Sequence, residues 1–153
     1  GKIVITGVGK SGKIAEKLVA TFLSLGNLAL FLHPTEALHG DLGMVSPRDA
    51  VLAISYSGKT PEILQLLPFL HQRGAHLISM VGNLASPLAL ASEAVIDAQV
   101  QQEATPDIPA PTTSTTLSLA LGDALAMCLM RQRACTPSLF ASNHPGGSLG
   151  QIM

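Results

Sequence analysis

The 153-residue chain is 47% hydrophobic and 12% charged, with a formal net charge of −1. That supplies enough apolar material for one buried core and no broad basic surface for nucleic acid. Absent tryptophan and 3% aromatic residues also exclude stacking platforms for single strands. Two cysteines are too few for a disulfide framework, and no charged-apolar-small leader precedes the first apolar run, so a cytoplasmic chain is expected.

In chain order, five short runs read as strands: "KIVIT" (2–6), "LALFL" (28–32), "AVLAIS" (50–55), "HLISMV" (76–81) and "EAVIDA" (93–98). They are apolar throughout, as expected of a parallel sheet covered on both faces. Helical patterns lie between them. Residues 11–26 place Ile14, Leu18, Phe22 and Leu25 on one face and stop at Gly26. Residues 60–74 start with Thr60 as N-cap and Pro61 in the first turn, and stop at Gly74. A last helix is expected over about Ser114–Arg133. Its most apolar part, Leu117–Met130, is broken by Gly122 and Asp123, falls short of a membrane span of about 20 residues, and is expected to be buried. Alternating strands and helices imply a doubly wound α/β fold, with ligands at the carboxyl ends of the strands. The loops at that edge are 7–12, 33–43, 55–60, 82–86 and 99–113.

Gly7, Gly9 and Gly12 match the dinucleotide fingerprint, but the second strand ends in Leu32-His33-Pro34, with no acid for a ribose. A P-loop fails as well, because Val4 and Ala53 stand where the glycines preceding Gly9-Lys10-Ser11 and Gly58-Lys59-Thr60 are required. What remains is a helix start carrying Lys10 and Ser11 and a second turn, "SYSGKTPE", carrying Ser55, Ser57 and Thr60. Free N–H groups, hydroxyls and a flexible glycine suit a phosphate monoester, although helix capping alone accounts for "SYSGKT" equally well. Residues 112–116 add a third hydroxyl cluster, and three such loops on one edge favour a ligand. His33, Glu36, His39 and Asp41 share one loop without zinc-motif spacing, which leaves a structural role or a substrate contact. Taken singly, Glu62 is a first-turn acid favoured by the helix dipole, Glu103 a solvated carboxylate and His144 a surface-loop histidine.

The strings "GVGKSG", "HPTEALHGDLGMVSPRD", "ISYSGKTPE", "QEATPDIPAPTTSTT" and "SNHPGGSLG" together resemble the sugar isomerase (SIS) domain of the D-arabinose 5-phosphate isomerases, along essentially the entire chain. The resemblance implies a flavodoxin-like three-layer α-β-α sandwich with a five-stranded parallel sheet, and residues 1–153 as a single SIS domain cut from a longer chain with C-terminal CBS modules. It implies interconversion of D-ribulose 5-phosphate and D-arabinose 5-phosphate for octulosonate synthesis, in a homotetramer whose neighbours complete each site. It places catalytic roles on Lys10, Glu62, Glu103 and His144, and substrate contacts on Ser11, His33, His39, Ser55, Ser57 and Thr60. No cofactor is required; His33 is a ligand for an inhibitory zinc ion. Lys59-Thr60-Pro61 departs from the small or acidic residues usual after Ser57-Gly58 and adds a cation beside the phosphate turn. Two rivals are a non-catalytic sugar-phosphate sensor and a SIS isomerase for another sugar phosphate.

Aldose–ketose isomerisation through an enediol needs a carbon base, a polariser of the carbonyl oxygen and a group for hydroxyl protons. Glu103, Lys10 and His144 are assigned those tasks in that order, with Glu62 in proton transfer or orientation.

Overall fold

The five apolar runs become β1 (Ile3–Gly7), β2 (Ala29–Phe31), β3 (Ala50–Ile54), β4 (His76–Val81) and β5 (Ala94–Asp97) in a computed structural model that describes residues 1–151. All pairings are parallel, in the order β2-β1-β3-β4-β5. Among the described residues six α-helices connect or follow the strands: α1 (Lys10–Ser24), α2 (Pro34–Ala37), α3 (Pro61–Gln72), α4 (Pro87–Leu90), α5 (Thr113–Gln132) and α6 (Pro137–Ser142). Alternation along the strands divides the core in two. Val4, Val51, Ala53, Leu77 and Val81 meet α2, α3 and α4, while Ile5, Leu52, Ile54 and Met80 meet α1 and α5. The expected three-layer sandwich is therefore present.

On α1, the 3.6-residue period aligns Ile14, Leu18 and Phe22, all buried. Each large side chain so buried contributes about 2 kcal/mol, which fixes α1 against the sheet and with it the position of its first residue, Lys10. Gly26 (φ 85°) and Gly74 (φ 71°) end α1 and α3 in the left-handed conformation, as their positions in the sequence suggest.

Four expectations need correction. β5 is an edge strand with Val95 40% exposed, so it is not covered on both faces. Thr60 occupies the N-cap position of α3 without capping it; its hydroxyl is 2.7 Å from Ser55 Oγ. The stretch 33–43, read as a loop, contains α2, and α4 and α6 stand in stretches that were given no element; all three are short helices without a readable period, each opened by a proline after a capping residue: His33, Ser86 and Thr136.

The fourth concerns α5, which is 20 residues long and, by length and composition alone, apolar enough to cross a membrane, yet only 22% of its most apolar window is buried. The buried stripe is Ser114, Ser118, Gly122 and Ala126, small residues four apart that let α1 approach closely. A Cβ at Gly122 would stand 3.1 Å from a Leu18 methyl. Lys17 and Asp123, 2.7 Å apart, tie the two helices at their rim. Helix α5 thus belongs to the sandwich while its other faces, including Ala120, Ala124 and Met127, remain exposed.

Candidate active site

Strand order reverses at β1, which has β2 on one side and β3 on the other, so the carboxyl ends of β1 and β3 form the switch-point crevice. The turn after β1 is tight because glycine is obligatory there. A Cβ at Gly7 would lie 2.8 Å from the Ser11 carbonyl, and one at Gly12 would lie 2.9 Å from the Gly7 oxygen. Helix α1 starts at Lys10 with no side-chain cap, so the unpaired N–H groups of its first turn face the crevice edge. Lys10 is exposed and, among the described residues, has no ion-pair partner.

The turn after β3 is prefolded by its own hydroxyls. Buried Ser55 Oγ accepts the Gly58 N–H (3.0 Å) and pairs with Thr60, while Ser57 Oγ accepts the Lys59 N–H (3.1 Å). Gly58 has φ 66°, and a Cβ there would collide with Ser86, the cap of α4. This position therefore demands glycine on both conformational and steric grounds.

Between these turns and the start of α5 lies a cleft of about 420 Å³, within the range of small-ligand sites. Lys10, Ser11, Tyr56, Glu103, Ser114 and Thr115 line it, together with apolar Val8 and Ile14. Glu103 is held firmly: Oε2 accepts from Ser114 Oγ (2.6 Å), and Oε1 accepts the N–H groups of Ser114 (2.8 Å) and Thr112 (3.4 Å). The Ser114 hydroxyl, then its N–H, hold the carboxyl below the ordinary range against a smaller opposing effect of desolvation. Glu103 is therefore ionised at neutral pH. The Pro-rich segment before α5 is itself folded, with the Ala104 N–H donating to Thr112 Oγ1 (2.9 Å).

Lys10, Ser11 and Glu103 thus share one cleft, with Ser55, Ser57 and Thr60 on the adjoining turn. Glu62 is in the first turn of α3, half-buried and outside that lining. His33 and His39 are exposed on the same sheet edge beyond β2. His33 Nδ1 accepts the Thr35 N–H (3.1 Å), which leaves Nε2 as its available nitrogen. His144 is elsewhere. The Asn143 side chain donates to the Ser24 carbonyl (3.2 Å), Leu139 packs on Gly26, and His144 Nδ1 is 2.7 Å from the Phe140 oxygen. This puts His144 at the far end of α1, about 20 Å from Lys10 by helical rise. No group of three or more His, Cys, Asp or Glu able to hold a metal occurs among the described residues. A single imidazole nitrogen at His33 does not make a resident zinc centre.

Residues 1–128 match the family model described as the SIS domain. The chain belongs to the SIS family. It is 52% identical over 151 residues to the arabinose 5-phosphate isomerase KdsD of Pseudomonas aeruginosa, covering 99% of this chain and 46% of that protein. To the arabinose 5-phosphate isomerase GutQ of Escherichia coli it is 49% identical over 150 residues, covering 98% of this chain and 47% of the relative. An Escherichia coli protein solved in complex with arabinose 5-phosphate superimposes with a TM-score of 0.90 at 46% identity, over 95% of this chain and 77% of that one. This SIS chain spans about half the length of the curated relatives it matches.

Ser114 and Tyr56, both lining the SIS cleft, were not assigned from the sequence. Ser114 was one hydroxyl among several, and its partner Glu103 is 11 residues away; the available signal was an acid placed upstream of a hydroxyl-rich helix start, where N–H groups seek an anion. Tyr56 is the only tyrosine of the chain and stands between the two serines of the turn after β3.

Proposed function

We propose that this SIS chain interconverts D-ribulose 5-phosphate and D-arabinose 5-phosphate through an enediol, supplying octulosonate synthesis for lipopolysaccharide or capsule. The observation that carries the reading is the opposition, across one cleft at the strand ends, of an ionised Glu103 and a cation, Lys10, that has no partner among the described residues. The Ser55–Thr60 turn and the start of α1 take the phosphate. The Glu103 carboxylate removes a proton from C1 of the ketose while Lys10 stabilises the charge growing on the C2 oxygen. The same carboxyl then returns the proton to C2, and His144 moves the hydroxyl proton from O1 to O2. Glu62 orients these groups, and His33 and His39 contact the sugar. The atoms balance without an external oxidant or reductant, so the chemistry requires no cofactor. Zinc acts as an inhibitor through His33 Nε2.

The placement of His144 supports a homotetramer in which His144 of the partner subunit enters the cleft. The broad apolar face that α5 leaves exposed supports association in the same way. We further assign the chain to the cytoplasm, as the SIS module of a longer protein with CBS modules.

Turnover of a sugar-phosphate panel is the deciding experiment. Ketose–aldose conversion is expected with ribulose 5-phosphate and arabinose 5-phosphate, and a chelator should not abolish it. Binding without turnover of any member would favour a sensor, and preference for a hexose phosphate would move the chain to another substrate. In Glu103→Gln, substrate should still bind while solvent exchange of the transferred proton stops; exchange at the wild-type rate would sink the base assignment.

A further inference from the structure

Tyr56 makes contacts that neither turn formation nor core packing requires. Its ring lies against Gly82 at the end of β4, where an added Cβ would collide with it, and its carbonyl accepts the Gly82 N–H at 2.8 Å. The phenol oxygen then reaches 44 residues along the chain. It accepts the Val100 N–H (3.3 Å) and donates to the Val100 carbonyl (3.4 Å), both at the long end of the range for hydrogen bonds. Val100 is three residues before Glu103, and Tyr56 itself lines the cleft that Glu103 lines.

We propose that Tyr56 is a positioning residue that ties the hydroxyl turn after β3 to the Glu103 segment, so that an anion seated on Ser55–Thr60 fixes where the carboxylate stands. Glu103 has a rigid support on one side only, the start of α5 through Ser114. On its other side the chain leaves β5 and runs without regular structure, with Gln99 N–H bonded to Asp97 Oδ1 (2.9 Å) as a local link. The phenol supplies the missing second support, and it does so from the residue between Ser55 and Ser57, which cannot move independently of an anion bound there. The catalytic consequence rests on the isomerase reading; the mechanical tie does not. Misplacing a reacting group by about 1 Å costs up to about a hundredfold in rate, and one loosened support of two corresponds to a smaller loss.

Tyr56→Phe keeps the ring on Gly82 and removes only the hydroxyl. Its kcat should fall by about tenfold with KM within about twofold and an unchanged thermal midpoint, a split that a merely structural role would not produce. Amide hydrogen exchange at residues 98–104 provides a readout independent of turnover, with inorganic phosphate as the probe. Phosphate should slow exchange there in the wild-type protein and have no effect in Tyr56→Phe. Wild-type kcat in the variant, a loss confined to KM, or a phosphate response that survives the substitution would each overturn the proposal. A wild-type protein that lacks turnover but shows the phosphate response would reject the isomerase reading and keep the tie.

Discussion

Ser114 shows how much of a carboxylate's behaviour one hydroxyl can set. Its Oγ–H donates to Glu103 Oε2 at 2.6 Å and is the largest influence lowering that group's pKa. A donor to the charged form favours ionisation, so Ser114→Ala should move the Glu103 pKa upward, and the acid limb of the kcat/KM profile should shift to higher pH with it. The backbone N–H bonds remain, so the carboxylate should stay in place and the plateau at neutral pH should change little. An acid limb that does not move would separate Glu103 from the titrating step. Among single residues, Lys10 and Ser11 could be picked out because they fall in a loop at a strand end, whereas Glu103, taken singly a solvated carboxylate, was singled out only by the family resemblance. The function of Ser114 was not legible, since a hydrogen bond between side chains 11 positions apart depends on the path of a loop that no periodicity describes.

Elements are joined by a buried carboxylate. Asp49, 1% exposed, precedes β3 and receives the Lys2 N–H (3.0 Å), the Lys2 ammonium (2.6 Å) and the Ser46 N–H (2.8 Å), clamping the start of β1 to the turn before β3. Burial opposes ionisation most strongly of the single influences, but the Lys2 and Ser46 donors together outweigh it and hold the pKa at about 2, below the ordinary aspartate range. Because the folded value is the lower one, the stabilisation is complete above about pH 4 and is lost as pH falls toward 2. That difference corresponds to about 2 kcal/mol at neutral pH. Asp49→Asn should lose about that much in denaturant unfolding at pH 7, and the gap to wild type should close in acid. At this scale the long elements could be read from the sequence and the short ones could not. Helices α1, α3 and α5 carry a period or distinct stops, whereas α2, α4 and α6 are held by a proline, a cap and the surface beneath them. Helix α5 was placed correctly but expected to be buried, because an apolar composition does not say whether the chain's own sheet is large enough to cover every face.

For the molecule as a whole, the decisive feature is the separation of His144 from Lys10 and Glu103 by the length of α1. If a partner subunit supplies the histidine, Lys10→Ala and His144→Ala proteins, each inactive alone, should regain a fraction of wild-type turnover when mixed under conditions that allow subunit exchange. Mixtures that stay inactive despite demonstrated exchange would confine the site to one chain. Taken alone, the sequence determined the α/β class, the five strands, the family and the edge of the sheet where chemistry belongs. The class, the strands and the edge follow from local patterns, namely apolar runs, glycines at tight turns and hydroxyls at helix starts; the family follows from the resemblance of the longer motif strings. Only the tertiary structure decided which of the named residues meet. It seated Glu103 on the first turn of α5, hung Tyr56 between two loops and sent His144 to the opposite end of the sandwich, because long-range contacts are set by strand order and chain path.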